Sequence, residues 1–400
     1  MRTSGAQRGL IAVTQVLALA VWFSVSAVVP SVQHDLGISS TASVWLTGSV
    51  QLGFVTGALA STALNLADRM PLHLLLGTSA ALAAAGTSVV ALFAQDLPSM
   101  IALRFLTGVF LAGVYPTGMK LMASWAGSSS RGLSMGLLIG ALTLGSALPH
   151  LIGGLAVLPW REVLQATAVV GGVGAVIALT AVRAGPHFAS RAVVLRPRYA
   201  LRMLSERETL LVNLGYFGHM WELYALWTWI PVFVLHAPAS ASFAGYQQVM
   251  VFVAMGVFGF AGCLVGGWAA DRYGRSRAAV TALAVSGACC VLSPLAFGSP
   301  APVLAVFCAL WGASVIADSG VFSTALSEVA DRSMVGTALS AQTAIGFALT
   351  VFSIQLVPLV AEATDWRYAF LALVPGPIIG AIAMARFRGG STSVAEPSGP

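Results

Sequence analysis

Few side chains in this sequence can do chemistry, and those few sit among apolar neighbours. Arg104, Lys120, His219, Glu222 and Asp318 interrupt apolar runs, and Glu328 closes one. A charge inside an apolar helix costs at least about 2.5–3.5 kcal/mol on insertion scales, so each is read first as functional. His219 and Glu222 stand three apart and share a helix face, so they are expected to hydrogen-bond, with Trp229 continuing that face seven positions on. Proton exchange by such a carboxyl–imidazole pair is accessible near neutral pH. Glu222 is therefore the expected proton carrier and His219 its modulator, against the plainer reading of a buried structural hydrogen bond.

The other charges divide by sign. Lys120 is the only lysine beside 19 arginines. A compact cation, it suits contact with a substrate anion. It also lies about 21 residues into its helix at roughly 1.5 Å each, near an interface where lysine snorkels. Both readings stay open. Arg104 is read as a coupling or anion-contact residue, or as a bridge to helix carbonyls. Asp318, within Ala317-Asp318-Ser319-Gly320, can pair with a cation from the other half or bind a coupling ion. Trp22 and Ser26, four apart on one face, are candidate solute contacts, and His150 and Gln342 are weaker ones. Positive charge in the first half and negative charge in the second suit an anion held on one side while a proton rides on the other, or a zwitterion.

The elements that must position these residues are membrane helices. Of 400 residues 58% are hydrophobic and 8% charged, whereas a soluble domain is about 25% charged. Apolar blocks long enough to cross a hydrocarbon core of about 30 Å fall near 9–30, 43–65, 72–94, 98–125, 132–157, 163–183, 210–235, 245–269, 278–297, 302–328, 335–360 and 368–385. Backbone in lipid must satisfy itself, so these twelve spans are predicted helices. The first is read as a span, not a signal peptide, because it is long and no A-x-A-like site closes it. Cys263, Cys289, Cys290 and Cys308 all fall inside spans without metal-ligand spacing. No cofactor is expected, and neither a phosphate-binding loop nor H-E-x-x-H suggests an enzyme.

With the N-terminus placed inside, 16 arginines fall in inner segments and two, Arg161 and Arg367, in outer ones. Both termini are then cytoplasmic in a multi-pass protein of the cell membrane, with a bacterial inner membrane expected. Arginines scattered over many short segments do not make a nucleic-acid surface. A basic break at 184–209 separates six spans (1–183) from six (210–400). Across it Leu66–Met70 (LADRM) answers Ala269–Tyr273 (AADRY) at an offset of 203, and Trp160-Arg161 answers Trp366-Arg367 at 206. Near-constant offsets argue for a duplicated six-helix unit, the plan of many secondary transporters.

The segment Gly267-Trp-Ala-Ala-Asp271-Arg272-Tyr-Gly274-Arg275-Ser-Arg277 resembles the G-x-x-x-D-R-x-G-R-x-[RK] loop of the major facilitator superfamily. Asn65-Leu-Ala-Asp68-Arg69-Met-Pro71 is its degenerate first-half counterpart, and Arg104-Phe-Leu-Thr-Gly108 looks like that family's R-x-x-x-G element. The second half loosely resembles the nitrate/nitrite and cyanate-type porters, though spans two and eight lack the arginine nitrate porters are expected to carry. The resemblance implies twelve helices in two pseudo-symmetric six-helix bundles, with spans one, four, seven and ten lining a central cavity. It makes Asp68, Arg69, Asp271, Arg272, Gly274 and Arg275 a conformational latch, in which Asp271 takes bonds from helix N-terminal amides and arginines and releases them as the halves rock. The function expected is proton-coupled secondary transport of a small anionic or zwitterionic solute by alternating access, by a monomer whose partners are solute, protons and lipid. The alternative is a drug or metabolite efflux antiporter.

Overall fold

The computed structural model describes residues 4–126, 131–155, 158–186, 202–243, 245–331 and 334–388. Among the described residues every regular element is helical. Ten helices are long and apolar enough to cross a membrane, from Thr41–Ala63 to Trp366–Arg386. The two further spans that complete twelve are the first and the seventh. Span one is broken: Ser4–Leu19 gives way to irregular turns over 20–25, then a 3-10 turn at Ser26–Val28 and a short helix Val29–Leu36. Span seven, Arg207–His236, is continuous for 30 residues, but its Trp and Tyr residues and the buried His219 and Glu222 dilute its apolarity.

Spans four and ten break in matching places. Leu97–Leu111 and Tyr115–Trp125 are separated at Ala112–Val114, and Ala301–Ile316 and Ser319–Val329 at Ala317-Asp318. Gly113 and Asp318 stand 205 apart, within the 203–206 range of the sequence repeat. The repeated Trp-Arg pairs do matching work as well. Arg161 donates to the carbonyls of Ala91 (3.0 Å) and Ala94 (2.9 Å) at the end of span three. Arg367 donates to that of Pro294 (3.0 Å) near the end of span nine, and Ala91 and Pro294 are themselves 203 apart. Each arginine thus satisfies carbonyls that a helix end leaves without an internal partner.

The halves meet along span two against eleven and span five against eight. A two-fold operation that carries each span onto the one six later exchanges these pairs. Small residues permit close approach. A Cβ on Gly108 of span four would strike backbone of Val50 and Phe54 on span two, so that glycine lets the helices touch and seats Arg104 one turn away. Span five presents Gly136 to the backbone of span eight, with its Cβ position 3.3 Å from the Cys263 carbonyl.

Candidate functional site

In the second half the break in span ten brings Asp318 against span seven. Asp318 Oδ1 lies 2.8 Å from His219 Nδ1, with both side chains at most 2% exposed. The other ring nitrogen of His219 is 2.9 Å from Ser319 Oγ. Neither Asp318 oxygen receives a hydrogen bond from the described residues. Phe322 and Tyr216 face the imidazole at 5.5 and 6.2 Å. The result is a buried carboxyl–imidazole pair whose carboxylate keeps acceptor capacity for a polar ligand.

The expected His219–Glu222 pair does not form. Three residues turn a helix by about 300°, leaving the two side chains about 60° apart, and that divergence sends them to different neighbours. Glu222 points to spans nine and ten, where Trp311 Nε1 (2.7 Å), Ser286 Oγ (2.9 Å) and Cys290 Sγ (3.3 Å) donate to it. Trp229, seven positions on, has partners of its own. Its Nε1 donates to the Ile354 carbonyl (2.8 Å) and its ring packs 5.6 Å from Trp366. Asp318 takes His219 as its close partner, not a cation of span four.

In the first half, Arg104 is 1% exposed and bridges carbonyls. Its Nη1 donates to Val21 O (3.0 Å) and Ser24 Oγ (3.3 Å), its Nη2 to Trp22 O, and its Nε to Leu46 O (3.5 Å). These include the carbonyls span one frees where it unwinds, so the guanidinium replaces missing helix hydrogen bonds. Among the described residues no carboxylate pairs with it. Lys120 lies half-buried in the second segment of span four, past the break. Ser26 reaches Thr47 Oγ1 at 3.4 Å.

The unwound stretch aims Trp22 and Phe23 at the centre of the molecule. The Trp22 ring lies 4.9 Å from Phe54, 5.7 Å from Phe347 and 6.0 Å from Tyr224. Phe23 packs on Tyr224 (5.7 Å) and Trp227 (5.4 Å), and Phe54 on Phe347 (4.4 Å). Both halves contribute to this cluster. Further along the same seam Gln248 of span eight ties the halves together: its Oε1 accepts from His150 Nδ1 (2.6 Å) and its Nε2 donates to Ala27 O (3.0 Å). Gln342 instead bonds within the second half, to Asn213 Oδ1 (2.9 Å).

In the loop between spans eight and nine, Gly274 adopts φ 93°, a conformation L side chains rarely take. Arg275 there reaches Asp271 Oδ1 (2.9 Å) and Glu328 Oε1 (3.2 Å), bracing the loop against the end of span ten. Asp271 therefore pairs with an arginine of its own loop. A narrow crevice beside it, lined by Ala270, Asp271, Arg275, Thr324, Gly136 and Ile139, borders span five of the other half. Arg69 and Arg272 are exposed, and the side chain of Asp68 lies outside the described residues.

Ser319, Trp311, Gln248, Phe54 and Phe347 escaped the sequence reading, for nothing in their spacing marks them. Trp227 carried a signal, being 205 residues from Trp22 and so its repeat mate.

The family model described as Major Facilitator Superfamily matches residues 11–354 and 212–400. The chain is 28% identical over 305 residues to a gallate transporter of Pseudomonas putida, covering 66% of this chain and 65% of the relative. It is 27% identical over 216 residues to a D-galactonate transporter of Escherichia coli, covering 46% and 49%. The chain thus spans less than two thirds of the length of both relatives. The inward-open structure of the E. coli xylose transporter XylE superposes with a TM-score of 0.77 at 13% identity, covering 98% of each chain, and shares the fold. Motif, repeat, span pairing and family match agree, and the chain belongs to the Major Facilitator Superfamily.

Proposed function

We propose that this protein is a secondary transporter that moves a small organic anion across a membrane by alternating access, with protons as the coupling ion. The observation that carries this reading is the separation of buried charge: Arg104, without a carboxylate partner among the described residues, in the first half, and the His219–Asp318 pair at the break of span ten in the second. An anion is attracted to the first, and a proton exchanges on the second. The relatives support the anion class, since gallate and galactonate share a carboxylate although one is aromatic and the other a sugar acid. The units 1–183 and 210–400, joined by 184–209, rock against each other, and the arginine-rich end faces the cytoplasm of a bacterial inner membrane. Proton exchange is assigned to Asp318 with His219, in place of Glu222, whose oxygens are already taken by three donors.

The test is uptake of radiolabelled organic acids by proteoliposomes under an imposed pH gradient. Accumulation in the wild type and its loss in Asp318→Asn, with solute exchange at equal pH retained, is the expected result. Equal uptake with and without the gradient sinks the proton coupling, and expulsion in whole cells would turn the reading to efflux.

A further inference from the structure

Resting on the organic-anion reading, we infer that the solute is a flat aromatic carboxylate, received between the halves against Trp22, Phe54, Tyr224 and Phe347, with Trp22, Trp227 and Gln51 donating hydrogen bonds to it. Polar atoms left without partners point there. Trp22 (1% exposed), Trp227 (3%) and Gln51 (0%) are buried, yet both indole N–H groups and both ends of the Gln51 amide have no hydrogen-bond partner among the described residues. A buried donor without an acceptor costs free energy and does not persist without compensation.

Among the buried indoles this orphaning is selective. The indoles of Trp125, Trp160, Trp221, Trp229 and Trp311 each donate to a carbonyl or carboxylate at 2.7–3.1 Å. Among the described residues the buried indoles without a partner are those of Trp22 and Trp227. Trp22 and Trp227 are, moreover, repeat mates 205 positions apart, so each half offers the same unfilled donor across the pseudo-two-fold axis. Phe23 and Tyr224 join them into one cluster. Gln51 lies on span two between Thr47, which meets Ser26 of span one (3.4 Å), and Phe54, which packs on Trp22 (4.9 Å), so it belongs to the stripe that faces span one.

The ligand's chemistry follows from what is offered. The indoles are donors only, so the ligand brings acceptors. Arg104, bonded to the carbonyl of Trp22 itself and lacking a carboxylate partner, adds positive potential beside them. An aromatic cage with a carboxylate would favour a cation; this one carries donors and a guanidinium, and favours an anion. Trp22 and Phe347 lie stacked at 5.7 Å and an interplanar angle of 25°. A flat ring entering between the halves replaces these ring–ring contacts with equivalent ones of its own, which neither a polyol nor a puckered ring reproduces. Because the rings come from both halves, a bound solute sits on the seam that must open and close.

The experiment is titration of the purified full-length protein in detergent, by calorimetry, with benzoate, cyclohexanecarboxylate, gluconate and benzylamine. Benzoate is expected to bind at least tenfold more tightly than cyclohexanecarboxylate, which has its charge and size but no aromatic face, and gluconate and benzylamine more weakly still. Trp22→Phe and Trp227→Phe keep a ring and remove the N–H; each is expected to weaken benzoate about tenfold, and Gln51→Leu likewise, at an unchanged melting temperature. Preference for gluconate, or equal binding of benzoate and cyclohexanecarboxylate, overturns the aromatic inference and leaves the organic-anion reading standing. Preference for benzylamine, or no binding of any acid, overturns both. The wild-type ranking decides the matter even if a variant fails to fold.

Discussion

Three donors converge on Glu222, whereas neither oxygen of Asp318 receives a hydrogen bond from the described residues. That contrast gives the two buried carboxylates opposite responses to amide substitution. In Glu222→Gln the NH2 takes the Ser286 side, where the hydroxyl turns to accept from it and donates to the Leu283 carbonyl (3.3 Å), and the second amide N–H is left buried without a partner at a cost of about 1–3 kcal/mol. Glu222→Gln is therefore expected to lower the melting temperature while the pH dependence of uptake keeps its shape. Asp318→Asn meets no such conflict, so its melting temperature should stay at or above that of the wild type while gradient-driven accumulation is lost. If Glu222→Gln abolishes coupling at unchanged stability, the assignment of roles is reversed.

At the scale of elements, the broken spans need partners for the backbone they expose. The guanidinium of Arg104 gathers Val21, Trp22 and Leu46 carbonyls at once because it offers several donors in a fixed fork. Lys in its place has one compact ammonium and cannot reach all three. Arg104→Lys is expected to lose about 1–3 kcal/mol of stability and, by freeing the stretch that aims Trp22, to weaken solute binding more than tenfold, read by thermal unfolding and titration together. Gln248 works on the seam between spans. Gln248→Leu removes both its bonds to the first half, and reaction of a cysteine introduced at position 27 with a membrane-impermeant maleimide should quicken several-fold; an unchanged rate would show that span packing alone closes that end.

For the whole molecule, the loop between spans eight and nine is a modest brace. Arg275 is 26% exposed and its partners Asp271 and Glu328 about half exposed, and pairs so exposed are worth up to about 1 kcal/mol each. Arg275→Gln should shift the balance between inward- and outward-facing states by no more than about fivefold per pair lost, changing turnover in proteoliposomes while solute affinity moves less. Loss of binding would instead mean that the loop shapes the central site.

Much of this architecture was legible because it rests on one-dimensional signals. Apolar run length, arginine asymmetry and a near-constant offset follow directly from the thickness of a bilayer, its charge bias and a duplicated chain. The resemblance carried by Asp271, Gly274 and Arg275 reached the family for a like reason, since the loop's glycine has a backbone angle to meet. The partners of the buried charges were not legible. The stretch 20–25 is as apolar as the helix before it, so nothing in composition announces that it unwinds and hands its carbonyls to Arg104. Position in a span placed His219, Glu222 and Asp318 within the membrane. A rotation of about 60° between two side chains on one helix, and the choice of which neighbour packs against each, depend on all the surrounding helices at once. Tertiary structure alone therefore set His219 on Asp318, closed three donors around Glu222, and buried two repeat-related indole N–H groups without a partner among the described residues.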